Sequence, residues 1–186
     1  MFISISKWLK DISDYKNNSD WLPIIASACL LEVYIIYRAM SYKKTGALMY
    51  KWYSDFGYSA VIADIFIVLI GFILIRYVYK CFIYPKYNFN PVIFIIVLLI
   101  IQIIHDLTYY YLIVLQIPSG KNRLIDYMKD YGKEYKLSAI TGDSLIFIIT
   151  SLGAMILKGY PPHISIAILI VSIYMYPYVL SLRQTN

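Results

Sequence analysis

Between Pro91 and Pro118 the chain reads "PVIFIIVLLIIQIIHDLTYYYLIVLQIP", twenty-eight residues with one acid and no Lys or Arg. At ~1.5 Å rise per residue a helix of that length exceeds the ~30 Å hydrocarbon core of a bilayer. No small soluble domain has enough polar surface to surround such a run. Four further apolar blocks occur at about 21–41, 55–79, 137–157 and 163–182, separated by charged segments. Hydrophobic residues make up 60% of the 186 residues and charged ones 15%, against ~25% charged in a typical soluble domain. The pattern predicts an all-α, polytopic integral membrane protein of about five transmembrane helices. It divides into an N-terminal interfacial segment at 1–20 and one transmembrane helical domain at 21–186.

The connecting segments add detail. Phe2, Ile5, Leu9 and Ile12 recur at near-helical spacing, which predicts a short helix on the membrane surface. That segment has no signal-peptide core or cleavage site, so it is expected to be retained. Ser19 and Asp20 offer N-caps to the first span, and Arg76 and Lys80 can reach from the second to headgroups. The 91–117 span should tilt or project, placing Tyr109, Tyr110 and Tyr111 near an interface where amphipathic rings settle. Residues 119–136 carry Leu124, Ile125, Met128 and Tyr131 on one helical face, with Lys121, Asp126, Lys129 and Asp130 around it. This predicts an interfacial amphipathic helix between the third and fourth spans, ending near Gly132.

The net charge of +6 sits in these connections, where it implies anionic headgroups as partners and not nucleic acid. Cys29 and Cys81 cannot form a disulfide framework. Counted by side, seven Lys and Arg residues fall with the N-terminus and ten with the C-terminus. The positive-inside rule then leans towards a cytoplasmic C-terminus.

Ionisable side chains inside spans each need a reason, since a mid-bilayer charge costs ~2.5–3.5 kcal/mol. Glu32, Asp64, the adjacent His105 and Asp106, and Asp143 fall within four of the five spans, and no Lys or Arg is expected deep in any. Ala28, Glu32 and Ala39 share a stripe, as do Gly57, Ala60, Asp64 and Gly71, and Ala139, Asp143, Thr150 and Ala154. Small residues beside an acid mark helix-contact faces, so Ala28, Ala60, Gly71 and Ala154 are expected to pack helix on helix. Gln102, His105, Asp106 and Tyr109 share an arc of about 100°, a polar seam expected to face the bundle interior. Together Glu32, Asp64, Gln102, His105, Asp106, Tyr109 and Asp143 form a candidate intramembrane polar network.

Familiar catalytic motifs are missing from the sequence. No GxxxxGK[ST], HExxH, GxSxG or TVGYG string occurs, and the two histidines have no metal-ligand spacing. No metal, cofactor or catalytic residue is therefore assigned.

The pieces His105-Asp106, Lys121-Asn122 with Ile125-Asp126, and Gly142-Asp143-Ser144 are the more distinctive ones. Over about residues 104–178 the chain resembles multi-spanning membrane proteins encoded by large nucleocytoplasmic DNA viruses. A composition rich in Ile and Tyr and poor in Ala, with AT-rich codons, agrees with that origin. The resemblance implies a virion inner membrane or a virus-modified host membrane, with further copies of the chain or other membrane or capsid proteins as partners. It brings no catalytic residues with it. The leading expectation is a structural or assembly membrane protein without catalytic activity. A small proton- or cation-conducting protein using the acidic seam is the alternative. An intramembrane lipid-modifying enzyme, with His105, Asp106 and Asp143 at a headgroup-facing cleft, is the third.

Overall fold

The computed structural model describes residues 8–42, 46–135 and 137–183. Among them there are seven α-helices and no strands. They are α1 (Trp21–Ser41), α2 (Ala47–Phe56), α3 (Tyr58–Val78), α4 (Pro91–Tyr109), α5 (Arg123–Tyr135), α6 (Leu137–Leu157) and α7 (Pro162–Leu180). Five helical stretches are long and apolar enough to cross a membrane, namely Asn18–Ser41, Tyr58–Ile83, Pro91–Val114, Leu137–Leu157 and Pro162–Leu180. The chain is an all-α bundle of the multi-spanning membrane type, and α5 lies between its third and fourth spans.

The helix ends follow from local chemistry. Asn90 accepts the N–H groups of Val92 and Ile93 while Pro91 fills the first helical position, a pre-organised start for α4. Pro162 does the same for α7. Gly57, at φ 50°, makes the abrupt corner from α2 into α3 that a side chain would disfavour. Spans two and three each end in a π-helical turn, Tyr79–Ile83 and Tyr110–Val114. Together, α4 and its π turn measure about 36 Å, longer than the hydrocarbon core.

Helix α1 is the centre of the bundle. It packs most extensively on α7 and α6 and also on α3, while α4 closes against α6 and α3. Hydrogen bonds fasten these pairs. Ser27 donates to the Thr150 carbonyl at 3.0 Å and Tyr176 to the Cys29 carbonyl at 3.1 Å. Small residues lie where helices meet. Ala28, Ala39, Ala60, Gly71 and Ala154 are all buried, and the α-carbon of Gly71 faces the Phe147 ring. Gly57 differs from its stripe-mates, because it forms the corner and has nothing packed against it. Outward faces carry large apolar side chains on every span, including Tyr34, Phe66, Ile104, Ile149 and Ile170. Lipid is the solvent that suits such a surface.

Four expectations need correction. Of the predicted surface helix near the N-terminus, Phe2 and Ile5 lie outside the described residues. Residues 9–14 are irregular, and Ile12 is fully buried in the core. Arg76 reaches no headgroup. It is fully buried, with its Nη2 donating to the carbonyls of Asp14 and Asn17 at 2.5 and 2.7 Å. It also lies 3.5 Å from Asp20 and over the Trp21 ring at 4.6 Å. Asp20 is consequently an ion-pair partner of Arg76 and Lys158 and makes no side-chain cap, which Asn17 supplies instead. Finally, α5 continues through Gly132 to Tyr135. That glycine admits the Tyr110 ring and does not end the helix.

Candidate functional site

The site begins with α2, a helix that hydropathy did not announce. The run "ALMYKWYSDF" lies between Gly46 and Gly57 and buries two aromatic residues, Trp52 and Tyr53. Tyr53 donates from its hydroxyl towards Glu32 Oε1 at 2.9 Å and Asp64 Oδ2 at 3.0 Å. Trp52 Nε1 donates to the same Asp64 oxygen at 2.8 Å. Glu32 is buried in the middle of α1, and Asp64 is partly buried seven residues into α3. The two carboxyls also contact each other. A phenol carries one hydrogen, so at any moment Tyr53 donates to one of the two carboxyls and not to both. Burial first, and then the Asp64 and Glu32 carboxyls, push the Tyr53 phenol well above the usual tyrosine range, so it stays a donor.

An aromatic ladder on α5 covers this pair. Tyr127 stacks on Trp52 at 4.9 Å, Tyr131 follows at 6.0 Å and Tyr135 at 4.8 Å. The Tyr127 hydroxyl donates to the Leu48 carbonyl at 2.8 Å, tying α5 to α2. Burial raises the Tyr127 and Tyr131 phenols, and Asp143 is the foremost charge acting on Tyr131.

The second group lies on α4 and α6. Gln102, 2% exposed, accepts from the Ser144 hydroxyl at 2.8 Å and donates to Asp106, one helical turn on. His105 Nδ1 is 3.2 Å from Asp106 Oδ1, and its ring stacks on Tyr109 at 6.0 Å. Asp143 is partly buried on α6, where it feels the Asp106 and Asp64 charges and has no hydrogen-bond partner among the described residues. Glu32, Asp64, Asp106 and Asp143 thus gather towards the end of the bundle that carries α2 and α5. Within the predicted seam only Gln102 is fully interior. His105 and Asp106 are about one third and one quarter exposed, at the rim of a small cleft bounded by Gly71 and Phe147. Of the three tyrosines, Tyr109 stacks on the histidine, Tyr110 packs against α5 and Tyr111 is exposed.

Sequence reading missed Trp52, Tyr53 and the α5 ladder as members of this site. The paired glycines around a ten-residue aromatic run were the available signal. The reading also missed the knot at the opposite end. There Lys158 bonds Asp20 at 2.5 Å and the Asp11 carbonyl, beside the buried Arg76, while Lys80 pairs with Asp14 at 3.1 Å. A backbone hydrogen bond with Lys16, more than the Lys80 pair, holds the Asp14 carboxyl below its ordinary range.

Between the two polar ends the contact of α3, α4 and α6 is apolar, while the hydroxyls of Ser27, Thr150 and Ser151 are buried where α1 meets α6. Phe72, Ile75, Phe94, Leu98, Phe147, Ala154 and Met155 are each at most 5% exposed. The twelve residues from Asp64 to Arg76 make this separation about 18 Å along α3. Among the described residues no three His, Cys, Asp or Glu side chains come together as metal ligands. Comparison with known protein families, curated proteins and solved structures returned no match.

Proposed function

We propose that the chain is a structural or assembly component of a membrane, acting through its surface and its headgroup-level helices and not as a conduit. The closed, ring-filled contact of α3, α4 and α6 between the two polar ends is the observation that carries this reading. Conduction requires polar groups or water across the full thickness, and in a single copy the Phe72, Phe94 and Phe147 rings fill the path between Asp64 and Arg76. The acids then act as glue. Tyr53 and Trp52 hold α2 onto α1 and α3, and Gln102 joins α4 to α6 through Ser144.

The resemblance over residues 104–178 supports placing this role in a virion inner membrane or a virus-modified host membrane. Partners would be further copies of the chain, or other membrane or capsid proteins, seated on its outward faces. Headgroup contact is supported by Lys121, Arg123 and Lys133 on and before α5, all exposed. Proteoliposome flux tests the reading. Under an imposed proton gradient the leak should equal that of protein-free vesicles. A proton flux carried by the wild-type chain and lost in His105→Gln would overturn it in favour of a relay, because glutamine cannot titrate.

A further inference from the structure

Outside the acid network, α2 and α5 leave a groove between them of about 260 Å³. Tyr127 and Phe56 form its base, with rings meeting edge to face at 5.7 Å. A volume of that size admits several waters or a small polar group. The charges around it divide into two kinds. Some are used internally. Arg123 pairs with Asp55 at 3.3 Å, and both Asp126 oxygens accept the Gly120 N–H at 3.0 Å. Lys51 on α2 and Asp130 on α5 are different. Both line the groove and are exposed, yet neither pairs with the other or with any other described residue. The groove therefore offers a free cation on one wall and a free anion on the opposite one, with an aromatic base between.

We propose that this groove binds the headgroup of a zwitterionic phospholipid, its phosphate at Lys51 and its ammonium at Asp130. A simple anion would suit Lys51 and meet repulsion from Asp126 and Asp130. A simple cation would meet Lys51 and Arg123. One ligand carrying both charges a few ångströms apart complements both walls. The assignment to lipid rests on the membrane-embedded reading above. The groove sits at the end of a bundle whose spans turn apolar side chains outward, where headgroups are the concentrated phosphate esters.

The test uses the purified full chain in detergent, incubated with equimolar phosphatidylethanolamine, phosphatidylcholine and phosphatidylglycerol, with bound lipid read by native mass spectrometry. The wild-type chain should retain the two zwitterionic lipids several-fold over phosphatidylglycerol. Lys51→Gln should lower retention of all three, while Lys51→Arg should preserve it. Asp130→Asn should remove the preference for zwitterions. Both side chains are exposed and unpaired, so these variants should unfold at the wild-type temperature. Equal retention of phosphatidylglycerol by the wild-type chain, or an unchanged lipid profile in both charge-removing variants, would overturn the proposal. Displacement by equimolar soluble phosphoethanolamine would overturn the lipid assignment. A proteoliposome leak would sink the structural role and leave this lipid profile intact, so the two failures are distinguishable.

Discussion

Gly71 is the position where the packing makes its sharpest demand. A β-carbon built there would lie 2.5 and 2.7 Å from Cε1 and Cζ of Phe147. Carbon pairs rest at ~3.5–4.0 Å, so in Gly71→Ala the ring must retreat by about 1 Å. It has little room to do so. Phe147 is 5% exposed and packs 6.4 Å from Phe72, which is fully buried and itself 6.4 Å from Phe94. Overpacking of this kind costs ~1–3 kcal/mol, while alanine regains up to ~1 kcal/mol of helix propensity over glycine. The net expectation is a loss of up to about 2 kcal/mol, read as a lower midpoint of thermal unfolding in detergent. Gly142, on α6, has nothing within 4 Å of its built β-carbon, so Gly142→Ala should be neutral or slightly stabilising. In a Phe147→Leu background the cost of Gly71→Ala should shrink, because the clashing ring is gone. The reasoning fails if Gly71→Ala is as stable as Gly142→Ala, or if its cost is the same in both backgrounds.

Three further outcomes follow from the two polar ends. Tyr53→Phe removes the hydroxyl shared by Glu32 and Asp64 and should cost about 1–3 kcal/mol, with faster proteolysis in the 46–57 segment as α2 loosens. Arg76→Ala should cost about 3–5 kcal/mol by removing one partner of a buried ion pair, and should free residues 8–20 to protease. The Tyr127 and Tyr131 phenols are raised by burial, so they contribute stability that is complete below the unfolded-state value of about 10. Above that pH the unfolded chain releases these protons while the folded chain keeps them. Stability should therefore fall as pH rises past about 10, with their tyrosinate absorbance appearing only on unfolding. Tyrosinate signal from Tyr127 and Tyr131 in the folded protein at pH 10 would contradict the ladder's burial.

The spans were legible because each is a long apolar run, and in a bilayer a run of that length has few folded forms besides a helix. The stripes were legible for a related reason. Residues at i, i+4 and i+7 share a face, and Ala28, Ala60, Gly71 and Ala154 all lie in buried positions. What could not be read depends on chain segments far apart in sequence. Arg76 looks like an interfacial arginine until residues 8–20 fold back over it and supply the Asp14 and Asn17 carbonyls. The short helix α2, ten residues long, falls short of a span, and its partners Glu32 and Asp64 lie 21 and 11 residues from Tyr53 in opposite directions. The 100° arc from Gln102 to Tyr109 was drawn correctly in angle, yet its width exceeds the contact with α6. Gln102 is consequently buried, while His105 and Asp106 reach only the rim.

Cysteine accessibility along α6 tests the closed middle of the bundle most directly. In a Cys81→Ser background, which removes the exposed native thiol and leaves Cys29 buried, single cysteines at positions 143, 147, 150, 154 and 158 would be challenged with a membrane-impermeant, water-soluble thiol reagent in sealed proteoliposomes. Position 143 should react from the side that carries α2 and α5, and position 158 only from the opposite side. Positions 147, 150 and 154, at 5%, 0% and 0% exposure, should stay unmodified from either side. Modification of 147, 150 and 154 at rates like those of the ends would contradict the closed middle, and with it the account of a bundle that does not conduct.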